Sequence, residues 1–144
     1  MPFYAERVQG YCDWGTIHEW RKFLQSHTCV FVSLDGFAFE RGHLHFEPTF
    51  ANVKPTPNAV KALKQLASHG SRMIYLSIRP NSFAEVTRQQ MKDADLPEGE
   101  VEFGCLNTRW KFVSAPHPVL PLTTFAGIEV VPDSDGLYEK IISA

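Results

Sequence analysis

Four residues close to the ends of short apolar runs have the side chains for phosphate or acid/base chemistry: Ser33, Asp35, Ser77 and Arg79. Asp35 follows Val30-Phe-Val-Ser-Leu and precedes Gly36, and Ser77 follows Met73-Ile-Tyr-Leu and precedes Ile-Arg79-Pro80. A carboxylate can move a proton or hold a hard cation, a serine can donate to a phosphoryl oxygen, and an arginine can neutralise it. A further serine, Ser114, stands at the end of a third apolar run, Lys111 to Ser114. Asp35-Gly36 is also a common turn pair, and Arg79 suits a plain surface cation. His43 and His45 lie close to the first run in sequence, where they suit an exposed loop or a fold over the same crevice.

These residues need a scaffold that brings separated segments together. Cys29 to Ser33 and Arg72 to Ser77 read as strands, β-branched and aromatic, the first with the pattern of a central strand buried on both faces. Val101 to Gly104, Lys111 to Ser114 and Gly127 to Val131 are further strand candidates. Thr16 to Ser26 carries Ile17, Trp20, Phe23 and Leu24 at helical spacing, with Thr16 and Glu19 as a capping box. Asn58 to His69 places Val60, Leu63, Leu66 and Ala67 on one face and stops at Gly70, which suits a glycine C-cap. Ser82 to Ala94 and Asp133 to Ser143 complete the helices, the last with Leu137, Ile141 and Ile142 inward. Strands alternating with helices predict an α/β fold with a mostly parallel sheet covered on both faces, a Rossmann-like three-layer α/β/α arrangement. In such sheets ligands sit outside the carboxyl ends of the strands, where Asp35, Ser77 and Ser114 fall.

The chain has 144 residues, enough for one domain with a proper core, and 14 basic against 16 acidic residues give a net charge of −2. So even a balance speaks against nucleic acid or an anionic membrane as the main partner. Cys12, Cys29 and Cys105 form no C-x-x-C pair, which suggests neither a disulfide framework nor a zinc site. With no apolar leader and no span of membrane length, a cytoplasmic protein is expected. Residues 1–27 read as an N-terminal segment and amphipathic helix packing on a domain formed by 28–144.

The two runs together resemble the haloacid dehalogenase (HAD) superfamily of phosphotransferases. Val30-Phe-Val-Ser33-Leu-Asp35-Gly36-Phe37 is similar to its first motif, apolar residues followed by Asp-x-Asp-Gly-Thr. Ile74-Tyr-Leu-Ser77-Ile-Arg79-Pro80 is similar to its second. A narrower resemblance is to the small phosphatase-like domains attached to sugar nucleotidyltransferases of capsule and surface-polysaccharide pathways. It rests on Trp14-Gly-Thr-Ile-His-Glu-Trp20 before the first strand and on Arg109-Trp-Lys-Phe-Val-Ser114-Ala-Pro-His117-Pro118 later. The resemblance implies a residual acid/base role for Asp35, phosphate contacts from Ser77, Arg79 and Gly36, and Mg²⁺ held by Asp35 and the residue at the position of Ser114.

Departures from the family pattern bear on activity. The nucleophilic Asp of the first motif is Ser33 here, the Thr after Asp-Gly is Phe37, and the first metal-holding carboxylate of the fourth motif aligns with Ser114. No clear equivalent of the family's third-motif lysine exists, Lys92 and Lys111 being the candidates. Loss of a nucleophile can cost on the order of a millionfold in turnover where catalytic groups act as a unit. Between Gly36 and Pro55 the chain is also too short for a separate cap domain. A catalytically degenerate domain is therefore expected, a binding or structural module whose partner is a phosphorylated small molecule or another protein domain. The alternative is a Mg²⁺-dependent sugar-phosphate phosphatase using Asp35, with Asp133 or Asp135 at the metal. Asp133 or Ser134 as a cap of the last helix is the plainer role for that acidic pair.

Overall fold

A computed structural model describes residues 15–26, 28–41, 50–105, 111, 113 and 126–144. The elements are α1 (Ile17–Ser26), β1 (Cys29–Ser33), α2 (Pro57–Ser68), β2 (Arg72–Leu76), α3 (Ala84–Asp93), β3 (Gly99–Glu102) and α4 (Leu137–Ile142). Single 3-10 turns cover Phe50–Asn52 and Asn81–Phe83.

The three strands form a parallel sheet in the order β1-β2-β3, with Cys29 opposite Arg72, Ser33 opposite Leu76, and Met73 opposite Gly99. Parallel neighbours need a crossover, and α2 and α3 supply the two connections. The mixed α/β fold expected from the alternation is thus present. β1 departs from expectation, since among the described residues β2 is the middle strand and β1 an edge, with Cys29 exposed and Phe31 45% exposed. A run of Val and Phe signals burial without saying which strand lies between two others.

The core forms where α2 and α3 meet the sheet. Val32, Met73 and Tyr75 pack with Leu63 and Leu66 of α2, Met91 of α3, and Leu34 and Phe39 of the turn after β1. α2 starts on Pro57, whose missing N–H is no loss in a first turn, and buries Ala59, Ala62, Leu63 and Leu66. Its far end is a Schellman motif: Gly70 N–H donates to the Ala67 carbonyl at 3.0 Å and Ser71 N–H to the Leu66 carbonyl at 3.1 Å. Gly70 sits at φ 96°, which a side chain would resist. The predicted glycine cap is found one residue past the C-cap His69.

α1 carries its predicted capping box. Glu19 N–H donates to Thr16 Oγ1 at 3.2 Å, and Thr16 N–H donates to Glu19 Oε2 at 3.1 Å. The third helix expected from Ser82 divides into the 3-10 turn and α3.

Two expectations at the C-terminal end fail. Gly127 to Val131 forms no strand, and the last helix begins at Leu137 rather than Asp133. Gly136, at φ 66°, occupies its N-cap position, so neither Asp133 nor Ser134 caps it. Asp133 is exposed, and its backbone carbonyl accepts from Asn58 Nδ2 at 2.8 Å. The Pro-Asp-Ser-Asp-Gly run favours turns strongly enough to delay the helix. Leu137 is buried as predicted and Ile141 packs against the core, whereas Ile142 is exposed. Lys111 and Val113 are not in a strand, and the rest of the Lys111–Ser114 candidate lies outside the described residues.

Candidate functional site

Ser33, Asp35, Ser77 and Arg79 come together because β1 and β2 are adjacent and parallel. Ser33 is the last residue of β1, and Ser77 directly follows β2. Beyond β1 the chain keeps pairing, with Leu34 N–H donating to the Leu76 carbonyl at 2.9 Å, then turns sharply. Gly36 N–H donates to the Phe39 carbonyl at 2.8 Å and Phe39 N–H to the Leu34 carbonyl at 2.9 Å. Gly36 adopts φ 96°, and an added Cβ would lie 3.1 Å from Arg41 Nε. A short ribbon follows, in which Glu40 N–H donates to the Lys54 carbonyl and Thr56 N–H to the Ala38 carbonyl, each at 2.9 Å.

Asp35 points into the space between the two strand ends and is almost fully engaged there. Its Oδ2 accepts the Ser77 hydroxyl at 2.7 Å and Ile78 N–H at 3.1 Å, and its Oδ1 accepts Arg79 Nε–H at 2.7 Å. The side chains of Arg79 and Asp35 are 0% and 6% exposed. Arg79 is therefore no surface cation. Its Nη1 donates to Thr87 Oγ1 at 3.1 Å and to Gln90 Oε1 at 2.6 Å, both on α3. Its Cζ lies 5.4 Å from the Phe39 ring centroid and 5.3 Å from that of Phe50, within the range of cation–π attraction. Gln90 in turn donates from Nε2 to the Phe50 carbonyl at 2.7 Å. Nη2 is buried with no hydrogen-bond partner among the described residues.

Comparison of the chain with protein-family models, with curated proteins and with solved structures finds no match. Chemical interpretation therefore rests on the geometry of these groups.

Of the strand-end donors that an anion would use, all but Arg79 Nη2 are already committed among the described residues. The Ser77 hydroxyl and Ile78 N–H serve Asp35, Arg79 N–H donates to Ser77 Oγ at 3.2 Å, and Gly36 N–H closes its own turn. Ser33, at the nucleophile position of the resembled motif, donates its hydroxyl to the Asp35 backbone carbonyl at 3.1 Å. A serine attacks only when a base takes its proton, and a carbonyl oxygen is no base. The carboxylate of Asp35 compensates a guanidinium, so using it as an acid or base would disturb a buried ion pair.

Ser114, His43, His45, His117 and Trp14 lie outside the described residues. Lys92 and Lys111 are exposed, and neither bonds to the strand-end groups. Asp133 and Asp135 are exposed beside α4. Trp20 stacks on Phe23, with ring centroids 6.1 Å apart. Along α2 runs a shallow open groove lined by Pro55, Val60, Lys61, Lys64 and Ala94 among others, but by none of Ser33, Asp35, Ser77 or Arg79. Among the described residues no helix is long and apolar enough to cross a membrane.

Thr87, Gln90, Phe39 and Phe50, which surround Arg79, were not singled out in the sequence. Thr87 and Gln90 stand three apart on α3, which places two uncharged polar side chains on one helix face, and Thr87 is fully buried. A buried polar pair at that spacing signals a buried partner, although not which one.

Proposed function

We propose that the chain is a catalytically degenerate HAD-like domain, without a cap domain, that works as a structural or protein-docking module. The observation that carries this is the Asp35–Arg79 pair, a buried carboxylate bonded by the side chain of Arg79, the hydroxyl of Ser77 and the amide of Ile78. In the resembled enzymes the corresponding Asp is the general acid and base beside a carboxylate nucleophile. Here the neighbouring side chain is the hydroxyl of Ser33, turned to a backbone carbonyl. Such a network holds two strand ends and α3 in register, which is a service to the fold rather than to a substrate.

With the Ser77 hydroxyl and the Ile78 and Gly36 amides committed, and the one unpartnered guanidinium donor, Nη2, buried, a partner protein domain is favoured over a phosphorylated small molecule. A link to surface-sugar synthesis, as a domain beside a nucleotidyltransferase, is what the resemblance in Trp14 to Trp20 and in Arg109 to Pro118 implies, and cysteines without a C-x-x-C pair suit a reducing cytosol.

The test is turnover of a generic aryl phosphate and a panel of sugar phosphates, with and without Mg²⁺, using Asp35→Asn as the control for contaminating phosphatase. We expect the folded chain to show no turnover above that control. Turnover that needs Mg²⁺ and disappears in Asp35→Asn would establish the phosphatase alternative instead.

A further inference from the structure

Mg²⁺ is the cofactor that the resemblance implies, and the donors at the strand ends can be tested against it. Magnesium demands oxygen ligands in near-octahedral array, usually including one or two carboxylates. Of the described residues that the first two motifs supply, only Asp35 offers a carboxylate. Its Oδ1 accepts from Arg79 Nε and its Oδ2 accepts twice, from Ser77 and Ile78. Where the resembled enzymes have a second carboxylate, Ser33 offers a hydroxyl whose proton is directed at the Asp35 carbonyl. Among the described residues no three His, Cys, Asp or Glu side chains gather into a ligand set. A divalent ion at Asp35 would also stand beside a buried guanidinium, where repulsion between like charges is poorly screened. Among the described residues the donor set does not fit the ion.

The same contacts describe a cation site already filled. The Arg79 guanidinium is anchored at Nε by Asp35 and at Nη1 by Thr87 and Gln90, and it lies within cation–π range of Phe39 and Phe50. Gln90 is itself held by the Phe50 carbonyl, so the group that positions Nη1 is fixed from both ends. The cradle draws on three segments, the turn after β1 with Asp35 and Phe39, the 3-10 turn at Phe50, and α3 with Thr87 and Gln90, and it closes on the residue two beyond Ser77. We propose that Arg79 is the resident cation of the strand-end site, a guanidinium supplied by the chain that neutralises Asp35 and makes the site indifferent to divalent ions.

This inference shares its residues with the non-catalytic reading above but can fail separately. The test uses the full wild-type chain, labelled with ¹⁵N, and Mn²⁺ as a paramagnetic substitute for Mg²⁺. Amide signals of Leu34, Gly36, Ile78 and Arg79 are followed as dilute Mn²⁺ is added, against Ser71 at the opposite end of β2. We expect the four strand-end signals to lose no more intensity than that of Ser71. Selective broadening of the four, reversed by excess Mg²⁺, would overturn the proposal. Phosphatase turnover without such broadening would sink the non-catalytic reading and leave Arg79 as the resident cation. Broadening without turnover would do the reverse.

Discussion

Asp35 and Arg79 are each too polar to sit in a protein interior alone, and each is there because of the other. Breaking a buried ion pair by removing one partner costs about 3–5 kcal/mol, since the survivor keeps its desolvation penalty without compensation. We therefore expect Asp35→Asn and Arg79→Leu to lower stability by several kcal/mol each, as read by urea unfolding. The double variant should lose less than the sum, the mark of direct coupling. Ser33→Asp, which restores the carboxylate of the resembled nucleophile, is expected to give no phosphatase activity. The new group would lie beside an Asp35 still held by Arg79. Turnover in that variant would show that Asp35 is free to act. The sequence placed Asp35 and Ser77 at the ends of adjacent parallel strands, and they do meet there, but the ion pair was not legible, because Arg79 suited a surface role equally well. The partners are 44 residues apart, and only the parallel register of β1 and β2 makes them neighbours.

Secondary structure was most legible where local chemistry decides it. The capping box at Thr16 and Glu19 and the glycine after α2 depend on residues a few positions apart, and both occur as the pattern implies. Gly70→Ala forces a Cβ into a left-handed conformation and should cost about 1–2 kcal/mol in the same unfolding measurement. A change near zero would mean that the Schellman turn contributes nothing. Tyr75, in the middle strand, donates its hydroxyl to the Pro97 carbonyl at 2.8 Å and so ties β2 to the segment before β3. Burial pushes this phenol well above its ordinary value of 10.0. The unfolded chain then ionises first as pH rises, so the stabilisation is complete below about pH 10 and falls away above it. Stability measured on both sides of that pH should decline on the alkaline side, and Tyr75→Phe should flatten the decline. Elements decided by competition were less legible. The Pro-Asp-Ser-Asp-Gly stretch can cap a helix or form a turn, and it turns, leaving α4 to start at Leu137.

At the scale of the molecule, the alternation of strands and helices suffices for an α/β fold with a parallel sheet, because parallel strands and crossover helices imply each other. Strand order was not available from composition, and β2 rather than β1 proved the middle strand among the described residues. The fold converges on the strand ends as an enzyme of this architecture would, yet fills that convergence with its own ion pair. Whether Asp35 serves the fold or a reaction is decided most directly by one paired measurement, urea unfolding and Mg²⁺-dependent phosphate-ester turnover of wild type and Asp35→Asn side by side. We expect Asp35→Asn to lose about 3 kcal/mol or more of stability, with no turnover in either protein for it to lose. An Asp35→Asn protein as stable as wild type, lacking a turnover that wild type possesses, would contradict that assignment and make Asp35 a catalytic residue.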